Sequence, residues 1–299
     1  MWFCRVARND QEVAVNTALL IRPISLTDVG AGLRLCRLSA WNQVEDDWRF
    51  FLDSAGRGGW VAEQNGSVVG TVTCLRYGAN FSWLAMMLVD PRERRAGIGS
   101  QLMETALEAL ASEGCVRLDA TPLGERLYSR YGFVPEYELV RAVATGRPAI
   151  SSARLACVEP IQPYDFADVF ALDGEIFGAN RNALLASFHQ RAPEFAFIAR
   201  KDADVLGYCL GRHGYLYGQL GPIVAASAEV ARSLAIRCLS IEHGKPIALD
   251  APAFAEEWIR WLESIGFRIE RRFLRMRRGQ DTSPGLPGWQ FAIAGPEFG

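Results

Sequence analysis

The chain has 299 residues, 49% hydrophobic and 22% charged, with a formal net charge of −2. That length suggests two domains of ordinary size with large cores, the charge balance gives no basic field for nucleic acid, and no apolar run approaches the roughly 18 residues of a membrane span. The seven cysteines (Cys4, Cys36, Cys74, Cys115, Cys157, Cys209 and Cys238) are scattered, and with only His189, His213 and His243 they form no metal-ligand pattern; they read as small core residues of a protein in the reducing cytoplasm.

In chain order, residues 1–18 read as a loose extension, because Asp10 and Glu12 interrupt any apolar stretch a signal peptide would need. Strands are expected near 19–23, 58–64, 67–77, 81–89, 115–120 and 136–145, and helices near 27–39, 44–54, 98–113 and 123–131. This is a mixed α/β pattern. A polar linker is expected at 146–154, after which the pattern starts again.

The restart is visible in the residues. "IRPISLTD" at 21–28 is echoed by "VEPIQPYD" at 158–165, "WVAEQNGSVVGTVTCL" at 60–75 by "FIARKDADVLGYCLG" at 197–211, and "LDATPLGERLYSRYGF" at 118–133 by "LDAPAFAEEWIRWLESIGF" at 249–267. Three echoes in register make the chain two copies of one domain, 19–145 and 155–299.

The densest chemistry lies at 89–110, "VDPRERRAGIGSQLMETALEAL". An apolar strand ends in a basic turn, and a helix follows with Leu102, Met103, Ala106, Leu107 and Leu110 on one face. The free amides of a helix start carry about half a positive charge and suit an anion, phosphate above all. Arg92, Arg94 and Arg95 add full charges, partly offset by Glu93. No lysine of a P-loop is present, and Leu102 stands where a dinucleotide fingerprint needs a small residue. What remains is R-x-x-G-x-G, Arg94-Arg95-Ala96-Gly97-Ile98-Gly99; an ordinary basic strand-to-helix turn is the alternative.

This turn resembles the pyrophosphate loop of the GNAT N-acetyltransferases. The preceding "VDP" and the Y-x-x-x-G-F of "LYSRYGF" at 127–133 strengthen the resemblance, which covers the whole first copy. The tandem arrangement, "SAWNQVEDDW" at 39–48 and the closing "FAIAGPEFG" resemble a bacterial two-domain, YitH-like subgroup. The resemblance implies two tandem GNAT folds, each a mixed, mostly antiparallel twisted sheet flanked by helices, with the fourth and fifth strands splayed apart. It implies acetyl-CoA as cofactor, with the pyrophosphate on the backbone of Arg94, Arg95, Ala96, Gly97, Ile98, Gly99 and Ser100. The pantetheine arm would pair with the strand backbone at Met87, Leu88 and Val89, and Thr121, where the family often has Asn, would touch the cofactor.

Tyr128 stands at the family's general-acid position, and a phenol holds its proton at neutral pH; the alternative is a core tyrosine packed on Phe133. The base is less defined, with Asp119 as first candidate and Asp47 or Glu45 behind it. Asp250 repeats Asp119 in the second copy, which points to a structural role instead. Trp41, Asn42, Gln43 and Asp47 lie where the fold covers its acceptor, although Trp41, Val44 and Trp48 also fit a buried helical stripe. Ser82 is the sole polar side chain of the fourth strand. In the second copy "GPIVAASAEVARSL" at 221–234 has neither the glycine pair nor the arginines, and Leu262 replaces the tyrosine. The expectation is therefore a direct acetyl transfer to a primary amine of a small molecule or amino acid in the first copy, with a degenerate second copy. The protein would act as a monomer or homodimer, with no nucleic acid, membrane or metal involved. A protein or peptide acetyltransferase and a non-catalytic acyl-CoA sensor are the rivals.

Overall fold

A computed structural model describes residues 19–53, 57–146, 157–241 and 244–299. The expected extension, most of the expected linker, and the side chains of Cys4, Cys157 and His243 lie outside the described residues.

The leading half runs β1 (Leu20–Pro23), α1 (Val29–Leu38), α2 (Glu45–Leu52), β2 (Arg57–Gln64), β3 (Ser67–Tyr77), β4 (Phe81–Val89), α3 (Ile98–Ala109), β5 (Cys115–Ala120), α4 (Pro122–Arg130) and β6 (Val134–Ala144). The trailing half repeats this order as β7 (Cys157–Pro160), α5 (Phe166–Phe177), α6 (Asn182–Arg191), β8 (Phe197–Lys201), β9 (Asp204–His213), β10 (Gly218–Ala225), α7 (Ala228–Leu239), β11 (Ile247–Pro252), α8 (Glu256–Ser264) and β12 (Arg268–Gly279), and then adds β13 (Gln290–Ala292).

Local chemistry sets the helix starts. Asp28 accepts the Ser25 amide, and Asp165 accepts the Gln162 amide in the same turn of the other half. Glu45, Asp46 and Asp47 put acidic charge on the first turn of α2, where the macrodipole favours it. Thr121 caps α4, accepting the Gly124 amide, with Pro122 at the first helical position. The five described cysteines, at 36, 74, 115, 209 and 238, are buried, and none is disulfide-bonded among the described residues.

All strands join one sheet in the order β1-β2-β3-β4-β5-β12-β6-β11-β10-β9-β8-β7, with β13 paired to β10. The halves trade their last strands. β12, from the trailing half, lies between β5 and β6, and β6 runs on to pair with β11. Nothing in the hydrophobic pattern distinguishes this exchange from two closed sheets, because the strand periods are the same either way. Two buried ion pairs fasten it. Arg275 of β12 grips Asp119 of β5 at 2.9 Å on both oxygens, and Arg141 of β6 grips Asp250 of β11 at 2.8 Å on both. In each case arginine and aspartate stand opposite one another in the ladder.

One apolar core lies between α3 and the sheet of the leading half, another under α7 and α8 of the trailing half. The largest joins the halves: residues from α1, α2 and β4 pack with residues from α5, α6 and β9 and with Phe298. The sheet face carrying α1 and α2 is therefore turned inward.

Candidate functional site

β4 and β5 run parallel but pair only at Ser82↔Val116 and Trp83↔Arg117. From Leu84 onward the two strands part. Met86 sits in the left-handed region at φ 50°, at a register slip between β3 and β4. A non-glycine residue there costs about 1–2 kcal/mol, and Thr71 Oγ1 fixes the bulge by donating to the Met86 carbonyl at 2.8 Å. Such bulges re-aim a strand beside functional sites. Beyond it Met87 and Val89 are half-buried and Leu88 is buried.

The open end of this gap meets the basic turn. Asp90 is held by Arg34 at 2.7 Å and accepts the Arg92 amide; sequence reasoning missed Arg34, which is 56 residues away. Arg94 Nε reaches back to the Val89 carbonyl at 3.3 Å. Arg95 and Gly97 take φ of 70° and 81°, and Gly97 is the N-cap of α3. These two kinks turn the chain so that the amides from Arg95 to Gly99 have no partner among the described hydrogen bonds. The Ser100 amide departs from expectation, since it already donates to the Gly97 carbonyl at 3.0 Å. Ala96 is exposed, and Ile98 is buried as the anchor of α3. A Cβ added at Gly99 would meet only Leu127 and Val89, each at 3.7 Å, in ordinary contact. The fold places no demand on glycine there, and the missing side chain leaves space between the end of β4 and α4. Unpartnered amides, a helix start and flanking guanidiniums together suit an anion with several oxygens.

Across the gap, α4 presents Tyr128. Its ring packs edge-on against Phe133 at 6.1 Å and lies over Gly124, where a Cβ would come within 2.8 Å. No described hydrogen bond uses its hydroxyl, and burial pushes its pKa up to about 12. The Thr121 hydroxyl is engaged as the cap of α4.

The other expected site residues fall into two groups. Asp119, Asp47 and Asn42 are committed to the protein. Both oxygens of Asp119 face Arg275; burial pushes this carboxyl up while the guanidinium opposes the shift. Asp47 accepts from Arg191 at 2.8 Å and Arg212 at 2.7 Å, both from the trailing half, and Arg212 also binds Glu297. Asn42 Oδ1 accepts the amides of Leu216 and Tyr217, clamping the α1–α2 connection to the β9–β10 turn. Glu45 is exposed and pairs with Arg49. Gln43 and Ser82 are buried with Oε1 and Oγ unpartnered, and Trp41 packs on the shared core. Ser82 alternates with Phe81 and Trp83 and so lies on the opposite face of β4.

Where the splay begins, a cavity of about 220 Å³ opens on the inward face. Trp83 and Arg117, the last paired residues of β4 and β5, both line it, with Tyr137 and Arg275 beside them. The trailing half closes it with Phe177, Asp281 and Gln290. Sequence reasoning missed this wall, because it comes from strand exchange and from a segment about 200 residues downstream of β4. Trp83 Nε1 donates to the Pro296 carbonyl at 2.9 Å, so the closing segment is fastened to β4.

The trailing half has the same splay and a different content. β10 and β11 pair only at Gly218↔Ile247 and Gln219↔Ala248. Past that point β13 pairs with β10 at Ile223 and Val224, and the Ile293 amide donates to the Asp250 carbonyl of β11 at 2.9 Å. The chain's own segment fills the gap. At the helix start Ser227 Oγ accepts the Val230 amide, and Leu262, in the place of the tyrosine, is fully buried.

Two helix-flanked halves in tandem, each with a splay in the shared sheet, describe a known architecture. Residues 32–133 match the acetyltransferase (GNAT) family, and residues 169–292 match the acetyltransferase (GNAT) domain. The chain is a tandem member of the GNAT superfamily. Among curated proteins it is 24% identical to the uncharacterised N-acetyltransferase YitH of Bacillus subtilis over 74% of this chain and 78% of that one. It is 26% identical to the holothin acyltransferase of a Pseudoalteromonas species over 87% of each chain. Among solved structures, a Pyrococcus horikoshii protein assigned as an acetyltransferase superposes with a TM-score of 0.79 at 21% identity, covering 94% of this chain and 96% of that one. A tandem GNAT protein from the clavulanic acid biosynthesis pathway gives 0.62 at 19% identity, covering 87% and 98%. Membership of this superfamily supports acyl transfer as the chemistry. No described helix is long and apolar enough to cross a membrane.

Proposed function

We propose that the leading half is an acetyl-CoA-dependent N-acetyltransferase acting on the primary amine of a small molecule, and that the trailing half holds no coenzyme. One observation carries the reading: the unpartnered amides of Arg95 to Gly99 stand at the open end of the β4–β5 gap, while the matching gap of the trailing half is filled by β13. The residues fit the coenzyme, because Gly99 leaves out a Cβ that the fold itself would accept. The amides from Arg95 to Gly99, with Arg94 and Arg95, would hold the diphosphate, and the backbone of Met87 to Val89 would take the pantetheine arm as an added strand. When bound, acetyl-CoA supplies an acetyl group already activated as a thioester.

Tyr128 holds a proton on its hydroxyl through the whole neutral range, available to a leaving thiolate. Asp119 is a positioning residue in this reading, since both its oxygens are bonded to Arg275. The acceptor amine would arrive neutral or lose its proton to water. The inward face on which the acceptor must approach is covered by the trailing half, through Asn42, Asp47 and Trp83. That cover suits a compact acceptor over a peptide, and the relative named for holothin acylation is consistent with it. Free-thiol release from acetyl-CoA with a panel of amino acids, polyamines, aminosugars and peptides tests the proposal. Turnover with a small amine is expected. Turnover with peptides alone would move the assignment to a protein acetyltransferase, and tight coenzyme binding without turnover would make the protein a sensor.

A further inference from the structure

The arginines on the inward face of the sheet come with carboxylates. Arg117 binds Asp281, Arg141 binds Asp250, Arg212 binds Asp47 and Glu297, and Arg275 binds Asp119. Arg271 departs from this pattern. It stands opposite Arg141 in the β6–β12 ladder, and the register runs unbroken from there to Arg275 opposite Tyr137. Alternation along a strand puts Arg271, Phe273 and Arg275 on one face, the inward one. Arg271 is half-buried, and no described hydrogen bond, ion pair or ring contact engages it. Like charges directly opposite in a ladder are destabilising, and Asp250 offsets only Arg141. The adjacent Glu270 is exposed and accepts instead from the Tyr217 hydroxyl at 3.1 Å. The fold therefore bears an unmatched cation on a face where it matches the others.

Arg271 also stands at the open half of the acyl-transfer gap. β5 stops pairing with β12 at Ala120↔Leu274, so β12 runs on past β5 on the side where β4 and β5 part. Three residues at about 3.3 Å each place Arg271 roughly 10 Å past the end of β5. The other wall is α1, whose Leu35 and Cys36 share a core with Met86 and Leu88 of β4. The β9–β10 turn joins the two walls. Arg37 lies over the Tyr215 ring at 3.5 Å, Asn42 holds the Leu216 and Tyr217 amides, and Tyr217 reaches Glu270 beside Arg271. Burial and Glu270 push the Tyr217 phenol up while Arg141 and Arg271 pull it down, so both guanidiniums act on this bridge. We propose that Arg271 receives the anionic group of the acceptor, so that amines carrying a carboxylate or a phosphate are preferred over neutral amines and diamines. A guanidinium grips either anion with two parallel hydrogen bonds. The inference rests on the acetyltransferase reading and names its substrate class.

The test uses the full-length protein and acetyl-CoA with amines on a butyl and on a hexyl spacer, each ending in a carboxylate, a phosphonate, an alcohol or a second amine. kcat/KM is expected to favour an anion over the alcohol and the diamine by at least about tenfold, mostly through KM, and the better of the two anions assigns carboxylate or phosphate. Arg271→Gln is expected to bring the anion-to-alcohol ratio towards one. Arg278→Gln removes an equal charge from the exposed far end of the same strand and is expected to leave the ratio unchanged. The melting temperature of Arg271→Gln is expected at or above that of the wild type, because the substitution relieves the opposition to Arg141; a lower value would reveal a structural partner and overturn the inference. Ligand-observed NMR with the coenzyme A-loaded protein reads the same order as binding, independently of turnover. A ratio near one in the wild type, a preference for the alcohol or the diamine, or a ratio unmoved by Arg271→Gln or moved equally by Arg278→Gln would overturn it. Thiol release by other amines with none of this set would also overturn it and leave the acetyltransferase reading standing. Thiol release with no amine at all would remove that reading, while the NMR order in the wild type against Arg271→Gln would still decide what Arg271 holds.

Discussion

Gly97 and Gly99 lie two positions apart and are glycine for different reasons. Gly97 caps α3 at φ 81°, where an L side chain costs about 1 kcal/mol. Gly99 is under no such constraint, and a Cβ there touches neighbours only at 3.7 Å. Gly99→Ala should therefore leave the melting temperature unchanged or slightly raised, since alanine is the better helix former, while weakening coenzyme A binding by about tenfold or more, as read by calorimetry. Tyr128 makes a second residue-scale prediction. Tyr128→Phe should lower kcat by about 10²-fold with little change in the acetyl-CoA KM. Because burial raises its pKa to about 12, the acid form persists as pH rises and is lost only above the ordinary tyrosine range. The wild-type rate should then show no alkaline fall attributable to Tyr128 below about pH 10, which a kcat–pH profile checks.

At the scale of elements, the strand exchange is held by Asp119–Arg275 and Asp250–Arg141. Removing one member of a fully buried pair leaves an uncompensated charge and typically costs about 3–5 kcal/mol. Arg275→Ala is thus expected to destabilise by that order in denaturant unfolding, and pairing Arg275→Met with Asp119→Asn should recover much of the loss. The elements themselves were legible. Predicted and observed helices and strands agree within a few residues, because Asp28, Thr121 and Gly97 mark helix starts by local chemistry and the strands follow hydrophobic runs. The basic turn and Tyr128 were legible for the same reason, being contiguous motifs. What the chain could not announce was partnership across long separations. The grip of Arg275 on Asp119 spans 156 residues, and the clamp of Asn42 on Leu216 spans 174. Asp47 on α2 and Asn42 in the connection before it fit a substrate contact or a structural contact equally well from sequence, and only the inward turn of that face gives them protein partners.

Taken whole, the molecule uses one fold twice and keeps one cleft open. Duplication supplied two splays, and β13 with the following segment fills the second, lines the cavity of the first, and ties Trp83 and the shared core together. The trailing half therefore acts on the leading half as a wall and a brace. The central claim is that coenzyme A binds once per chain, on the basic turn of the leading half. Calorimetric titration of the full-length protein with coenzyme A measures this directly, in the wild type and in a variant whose Arg94–Gly99 turn is replaced by the alanine-rich turn of the trailing half. One site per chain, lost in the variant, is the predicted result. Two sites in the wild type, or undiminished affinity in the variant, would contradict the account.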